Sequence, residues 1–211
     1  MIRKLILVAL LVTGMCVAAF AETSTLPGIT TEGHSEMGRD GHILVIETTT
    51  SFVPQALDML GEGYDYFSGA DFSGVDLTPY DHVFLAMDGG LVEDASIANV
   101  AAFAEAGGCF HIFGGTCWQA YAIAVNMYLI ENNTDAYCWT ISSTPHSTIT
   151  DAGHYLTVGL PASSDFVNPS AAYYSLRITD AAFMEGAVNG DGYSLLGNKV
   201  VGEGMVDICL N

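Results

Sequence analysis

Residues 82–117 read HVFLAM (82–87), DGG (88–90), LVEDASIANVAAFAEAGG (91–108), CFHIF (109–113) and GGTC (114–117). HVFLAM and CFHIF are short, continuous apolar runs, the pattern of strands buried on both faces. Between them Ile97, Val100, Ala101 and Ala104 recur at helical spacing, Asp94 can cap the helix and Gly107-Gly108 can stop it. A strand, a helix and a strand in this order form a right-handed crossover between parallel neighbours. After Gly114-Gly115 a further helix is expected from near Thr116 to about Ile130, with Tyr121, Ala124, Val125, Tyr128 and Leu129 as its buried stripe.

The alternation extends upstream. Residues 43–47 (ILVIE) are another buried strand. Thr50 or Ser51 can cap a helix with Pro54 in its first turn, Val53, Ala56, Leu57 and Leu60 on one face, and Gly61 and Gly63 at its end. Tyr64–Phe67 reads as a short strand, and residues 68–79 as a loop. The expected architecture is therefore α/β, a parallel sheet with helices on both faces. Downstream the pattern is less regular. Strands are expected at 138–141, 173–178, 193–196 and 206–210, the last two around a Gly202-Glu203-Gly204 turn, and a helical turn over 154–161 ends at Gly159. The chain stops straight after the last of these. Either that strand lies at a sheet edge, or further residues follow Asn211.

Composition bounds the partners. The chain has 211 residues, 50% hydrophobic and 14% charged, with a mean hydropathy of +0.36. Such a chain buries a core and is not intrinsically disordered. Five basic residues face 24 acidic ones, a net charge of −19. Nucleic acid and anionic membrane surfaces are excluded as partners, because both are recognised through Lys and Arg. The acids are scattered (Asp58, Glu62, Asp65, Asp71, Asp76, Asp81) and form no EF-hand loop. No metal or other cofactor is expected.

Residues 1–21 read as a secretory signal. Arg3 and Lys4 precede the apolar stretch Leu5–Val17, and Ala19-Phe20-Ala21 is a small-x-small cleavage site. The stretch is short for a membrane span. Met15 before Cys16 does not suit a lipid-attachment box. Residues 22–41 are a polar linker, with His34 inside it and His42 at its end, and 42–211 form the α/β domain. The chain is expected to be secreted, periplasmic or on a bacterial cell surface, with no stable membrane span after cleavage and with a ligand or cell-surface partner of unknown identity.

An oxidising compartment colours the cysteines. Cys109, Cys117, Cys138 and Cys209 remain after cleavage, an even number with no CxxC. A Cys117–Cys138 disulfide would close a loop of about twenty residues and contribute roughly 3 kcal/mol. Cys109 and Cys209 either pair or are core thiols. Trp118 and Trp139 each follow a cysteine and either shield a disulfide or form a sugar-stacking platform.

In parallel α/β sheets ligands bind at the carboxyl ends of the strands. Glu47, then Asp88, Gly89 and Gly90, then Gly114, Gly115, Thr116, Cys117 and Trp118 fall there. These residues are the expected ligand-binding rim. Cys117 after a strand and two glycines has the layout of a nucleophile elbow, where a helix N-terminus lowers a thiol pKa. A cysteine-dependent hydrolase of amide or ester bonds would use Cys117 as nucleophile, His146 or His154 as base, Glu47 as orienter and Gly90 as oxyanion donor. His82 and His111 read as core or rim histidines. Tyr173, Tyr174 and Arg177 either bind an anion or, for the arginine, pair with an acid.

LTPYDHVFLAMDGG (77–90), DASIANVAAFAEAGGCFHIFGGTCWQ (94–119) and HSTITDAGHYLTVGLP (146–161) together resemble the class I glutamine amidotransferase-like superfamily, in the style of its secreted bacterial members. The resemblance covers roughly residues 42–210 and is strongest over 78–130. It implies a flavodoxin-like three-layer sandwich with a mainly parallel central sheet, and a catalytic Cys at the position of Cys117. The chain departs from the active members. Neither His146 nor His154 is followed by the Glu of a His-x-Glu pair, Gln119 replaces an elbow glycine and Trp118 stands where hydrolase relatives place His. The incomplete set favours a non-catalytic, disulfide-stabilised domain that binds at the rim.

Overall fold

A computed structural model describes residues 42–47, 53–86, 92, 94–113, 146–165, 178–190 and 192–209. In chain order the elements are β1 (Ile43–Glu47), α1 (Val53–Leu60), β2 (Asp65–Ser68), β3 (His82–Ala86), α2 (Asp94–Glu105), β4 (Cys109–Phe113), β5 (His146–Ile149), β6 (Ser163–Asp165), β7 (Met184–Asn189), β8 (Ser194–Val201) and β9 (Gly204–Cys209). The strands form one sheet in the order β2-β1-β3-β4-β9-β8-β7-β5-β6.

The first half follows the alternation in the sequence. The pairings β1–β2, β1–β3, β3–β4 and β4–β9 are all parallel. All five residues of β1 are buried, as its unbroken apolar run requires. Side chains alternate between two cores. Leu44, Ile46, Val83, Leu85, Phe110, Ile112, Val206 and Ile208 pack with Ile97, Val100, Phe103 and Ala104 of α2. Ile43, Val45, Phe84, Ala86, Phe113 and Cys209 pack with Val53, Ala56 and Leu57 of α1. Helix α2 ends in a Schellman motif: Gly108 N–H donates to Phe103 O at 3.0 Å and Gly107 has φ +110°. The loop over its start is pinned by Asn99, whose Nδ2 donates to Phe72 O and Val75 O, both at 3.0 Å.

The second half overturns the expected flavodoxin-like three-layer sandwich with a mainly parallel sheet. The pairings β8–β9, β7–β8, β5–β7 and β5–β6 are antiparallel. The sheet is mixed, and the described residues contain only two helices. The physical reason lies in the connections. β8 and β9 are joined by Gly202-Glu203 alone, a two-residue turn that permits only antiparallel pairing. Gly202 has φ +59°, and a Cβ there would lie 2.4 Å from Glu105 O, so the turn seats directly on the end of α2. β9 is not at an edge. It is the central strand, where the parallel half meets the antiparallel half. The helix expected over 116–130 and the strand over 138–141 lie outside the described residues, as does nearly all of 173–178. The helical turn expected near 154–161 is a run of turns, with Gly159 at φ +89°.

Candidate functional site

Glu47 ends β1 on the face that packs against α1, with 3% of its surface exposed. Tyr66 Oη–H donates to its Oε2 at 2.7 Å. Burial, and then this carboxylate, push the Tyr66 phenol up. Tyr64 is pushed up to about 12 by burial and by Asp58, with Glu47 adding to the effect. The rest of the expected rim, Asp88, Gly89, Gly90, Gly114, Gly115, Thr116, Cys117 and Trp118, lies outside the described residues, and so does Cys138.

The histidines proposed as bases are placed far from Glu47. His146 opens β5, six places along the sheet from β1, or about 29 Å at ordinary strand spacing. His154 lies over β8, four places from β1, and is 6% exposed. Both of its nitrogens are engaged. Nε2 is 2.7 Å from Asn198 Oδ1, and Nδ1 accepts the Leu156 N–H at 3.2 Å. The ring is therefore the neutral Nε2–H tautomer. Glu47 orients neither histidine.

Cys109 and Cys209 are both thiols. Their strands are parallel neighbours, but Cys109 is level with Met205 and Cys209 with Phe113. The two cysteines sit four residues apart along the strands, roughly 13 Å, well beyond the reach of about 7 Å for a bridge. Of the two expectations, pairing and unbridged strand thiols, the structure shows the second. Burial, and then Asp207 and Asp81, push the Cys109 thiol up, which makes it a poor nucleophile.

The described residues instead assemble a buried polar chain across β3, β4 and β9. His82 Nδ1 is 3.1 Å from His111 Nε2. His111 Nδ1 is 2.6 Å from Asp207 Oδ2, off the axis of a well-aligned hydrogen bond. Two facing lone pairs would repel at that distance, so Nδ1 carries the proton and, in the neutral ring, Nε2 accepts from His82. Tyr155 Oη–H donates to Asp207 Oδ1. The His111 ring stacks on Phe84 at 4.3 Å. Asp207 is 2% exposed and His111 6%, so these contacts are what make a carboxylate tolerable there. Desolvation, and then the neighbouring His111, lower His82 to about 4. Burial and Asp207 hold the Tyr155 phenol protonated. The chain links the half-buried His82 through His111 to the buried Asp207.

Sequence reasoning left His82 and His111 as core or rim residues and missed Asp207, Tyr155 and Asn198. A usable signal was present. An aspartate inside MVDIC and a histidine inside CFHIF, both in buried strands, each demand a buried partner. Among the described residues no group of three His, Cys, Asp or Glu side chains could hold a metal ion, and no helix is long and apolar enough to cross a membrane.

This architecture is similar in fold to two solved ThuA-like proteins and to two Salmonella proteins. Cytoplasmic protein STM1381 from Salmonella typhimurium LT2 superposes with a TM-score of 0.59 at 14% identity, over 81% of this chain and 87% of that one. STM3548 from Salmonella typhimurium gives 0.56 at 12% identity, over 80% and 87%. A ThuA-like protein from Parabacteroides merdae ATCC 43184 gives 0.51 at 14% identity, over 81% and 79%. No family model and no curated protein matches the sequence.

Proposed function

We propose that this chain is an exported, non-catalytic domain of amidotransferase-like fold that binds a ligand or cell-surface partner at the carboxyl ends of the parallel strands. Cys117 is joined to Cys138 in this reading, and the leader over 1–21 is removed. The observation that carries it is the engagement of the groups a cysteine hydrolase would need. His154 is held by Asn198 and Leu156, and His111 lies between His82 and Asp207. His42 and His82 stand at the amino ends of β1 and β3, and His146 opens β5, six strand places from β1. Glu47 is bonded by Tyr66. The fold likeness supports the domain type and leaves the chemistry open.

The test is a thiol count on the exported protein, alkylated in denaturant without reductant and read by peptide mass spectrometry. Label is expected on Cys109 and Cys209 only, with Cys117 and Cys138 appearing after reduction. Alkylation of Cys117 by iodoacetamide well below pH 8, together with amide or ester hydrolysis lost in Cys117→Ala, would overturn the reading in favour of a cysteine hydrolase.

A further inference from the structure

The amino ends of three adjacent strands place an imidazole, a thiol and a thioether side by side. His82 on β3 is level with Cys109 on β4, and Cys109 is level with Met205 on β9. Level residues on neighbouring strands stand about 4.8 Å apart and point to one face of the sheet, here the face that carries α1. All three residues are half-buried. Tyr155 leans over them from residues 151–160, a strap across the antiparallel half whose Leu156 joins the core cluster on the α1 face. Its Oη is 3.4 Å from Met205 Sδ, and the charge of Cys109 also bears on it.

We propose that His82 Nε2, Cys109 Sγ and Met205 Sδ bind one copper(I) ion. Each donor is prepared for a metal. His82 donates Nδ1–H to His111 Nε2, and His111 Nδ1–H faces Asp207, so the lone pair of His82 lies on Nε2. Among the described residues that nitrogen has no other partner. A ring whose second nitrogen is given to a chain ending in a carboxylate is oriented as metal-ligating histidines are. Cys109 is a thiol with no bridge. Met205 Sδ accepts Asn198 Nδ2–H at 2.7 Å, which fixes the sulfur and leaves it a second lone pair.

The donor set selects the ion. Thiolate, thioether and imidazole are soft ligands, and together they suit copper(I). Met205 supplies what the His, Cys, Asp and Glu side chains do not, since no three of those among the described residues could hold a metal. Binding breaks the Cys109 S–H bond and forms a copper–sulfur bond, and the proton leaves to solvent. One monovalent cation replaces one proton, so the charge of this half-buried place is unchanged. Burial, and then Asp207 and Asp81, raise the thiol, and the field of those two carboxylates equally attracts a cation. The site is at the amino ends of the parallel strands, away from the rim proposed above, and does not rest on that reading.

Copper(I) titration of the whole chain tests this, without air at about pH 7, above the acid range in which His82 lowers stability. Copper(I) is supplied from its bicinchoninate complex, and the methionine methyl resonances are followed with Met205→Leu as the assignment. Wild type is expected to withdraw one equivalent from the chelator while the Met205 methyl and the His82 ring resonances move together. Cys109→Ser is expected to weaken binding roughly a hundred-fold, and Met205→Leu and His82→Gln roughly ten-fold each. Zinc(II) at the same concentration is expected to leave the Met205 methyl in place. Copper held at Cys117 or Cys138 instead would leave that methyl unmoved, and this result overturns the proposal. So do failure to withdraw copper, undiminished affinity in Cys109→Ser, or an equal shift with zinc(II). If Cys109→Ser does not fold, the wild-type titration decides: either resonance unmoved by the first equivalent overturns the proposal.

Discussion

Asp207 is the residue on which the interior of the sheet turns. It stands in the central strand, 2% exposed, between an imidazole and a phenol. Asp207→Ala would strand His111 Nδ1–H and Tyr155 Oη–H without their acceptor. The expected destabilisation is about 3 kcal/mol, read from urea unfolding. Tyr155→Phe removes one donor and leaves the carboxylate facing His111, and about 1–2 kcal/mol is expected. His82 makes a pH prediction. Its folded value is lowered from 6.5 to about 4, chiefly by desolvation, so between those values the unfolded chain binds the extra proton more readily. Stability is therefore full above about pH 6.5 and falls as the pH drops toward about 4. Part of the ring is open to solvent, and the discounted effect is about 1–2 kcal/mol. Comparing unfolding at neutral pH and near pH 4.5 in wild type and His82→Gln checks it. An equal loss in both would assign the effect to carboxylates instead.

At the scale of the element, the short β8–β9 hairpin determines the topology. Its turn is held by Glu203 N–H to Glu105 O at 3.0 Å, and Met205 N–H reaches Gly108 O at 3.1 Å. Gly202→Ala combines a left-handed φ with a backbone clash on the end of α2. It is expected to destabilise by about 2 kcal/mol or more, read as a lowered urea midpoint. Helix α1 offers a contrasting case. Leu57 is fully buried between the helix and the sheet, and Leu57→Ala is expected to cost about 2–5 kcal/mol by the same measurement. The elements of residues 43–113 were legible because β1, β3 and β4 are mainly apolar buried runs and each helix is stopped by glycine, while the short, half-exposed β2 was read one residue early. β5, β6 and β7 were not. His146–Ile149 (HSTI) and Ser163–Asp165 (SSD) are short and polar, and they are strands because a neighbour supplies the ladder. β7 contains Gly186 and register shifts against β8 that break a period of two.

For the whole molecule, the sheet has a parallel half covered by a helix on each face and an antiparallel half crossed by the 151–160 strap. The two halves meet at β9, so the buried polar chain lies at their junction. The amino acid types that could form a site were visible in the sequence, but their distances were not. Glu47, His146 and His154 share the chemistry of a base and its orienter, yet the strand order separates Glu47 from His154 by four places. His111 and Asp207 are 96 positions apart in the chain and become direct neighbours because β9 pairs with β4.

Local chemistry alone therefore settled the buried strands at 43–47, 82–86 and 109–113, the helix stops and the hairpin turn, because apolar periodicity and glycine act within a few residues. The direction of the later strands, the central place of β9, the separation of Cys109 from Cys209 and the His82–His111–Asp207–Tyr155 chain were decided by tertiary structure. Each depends on which strand pairs with which, and that is set by burial summed over the whole sheet rather than by any one stretch of chain.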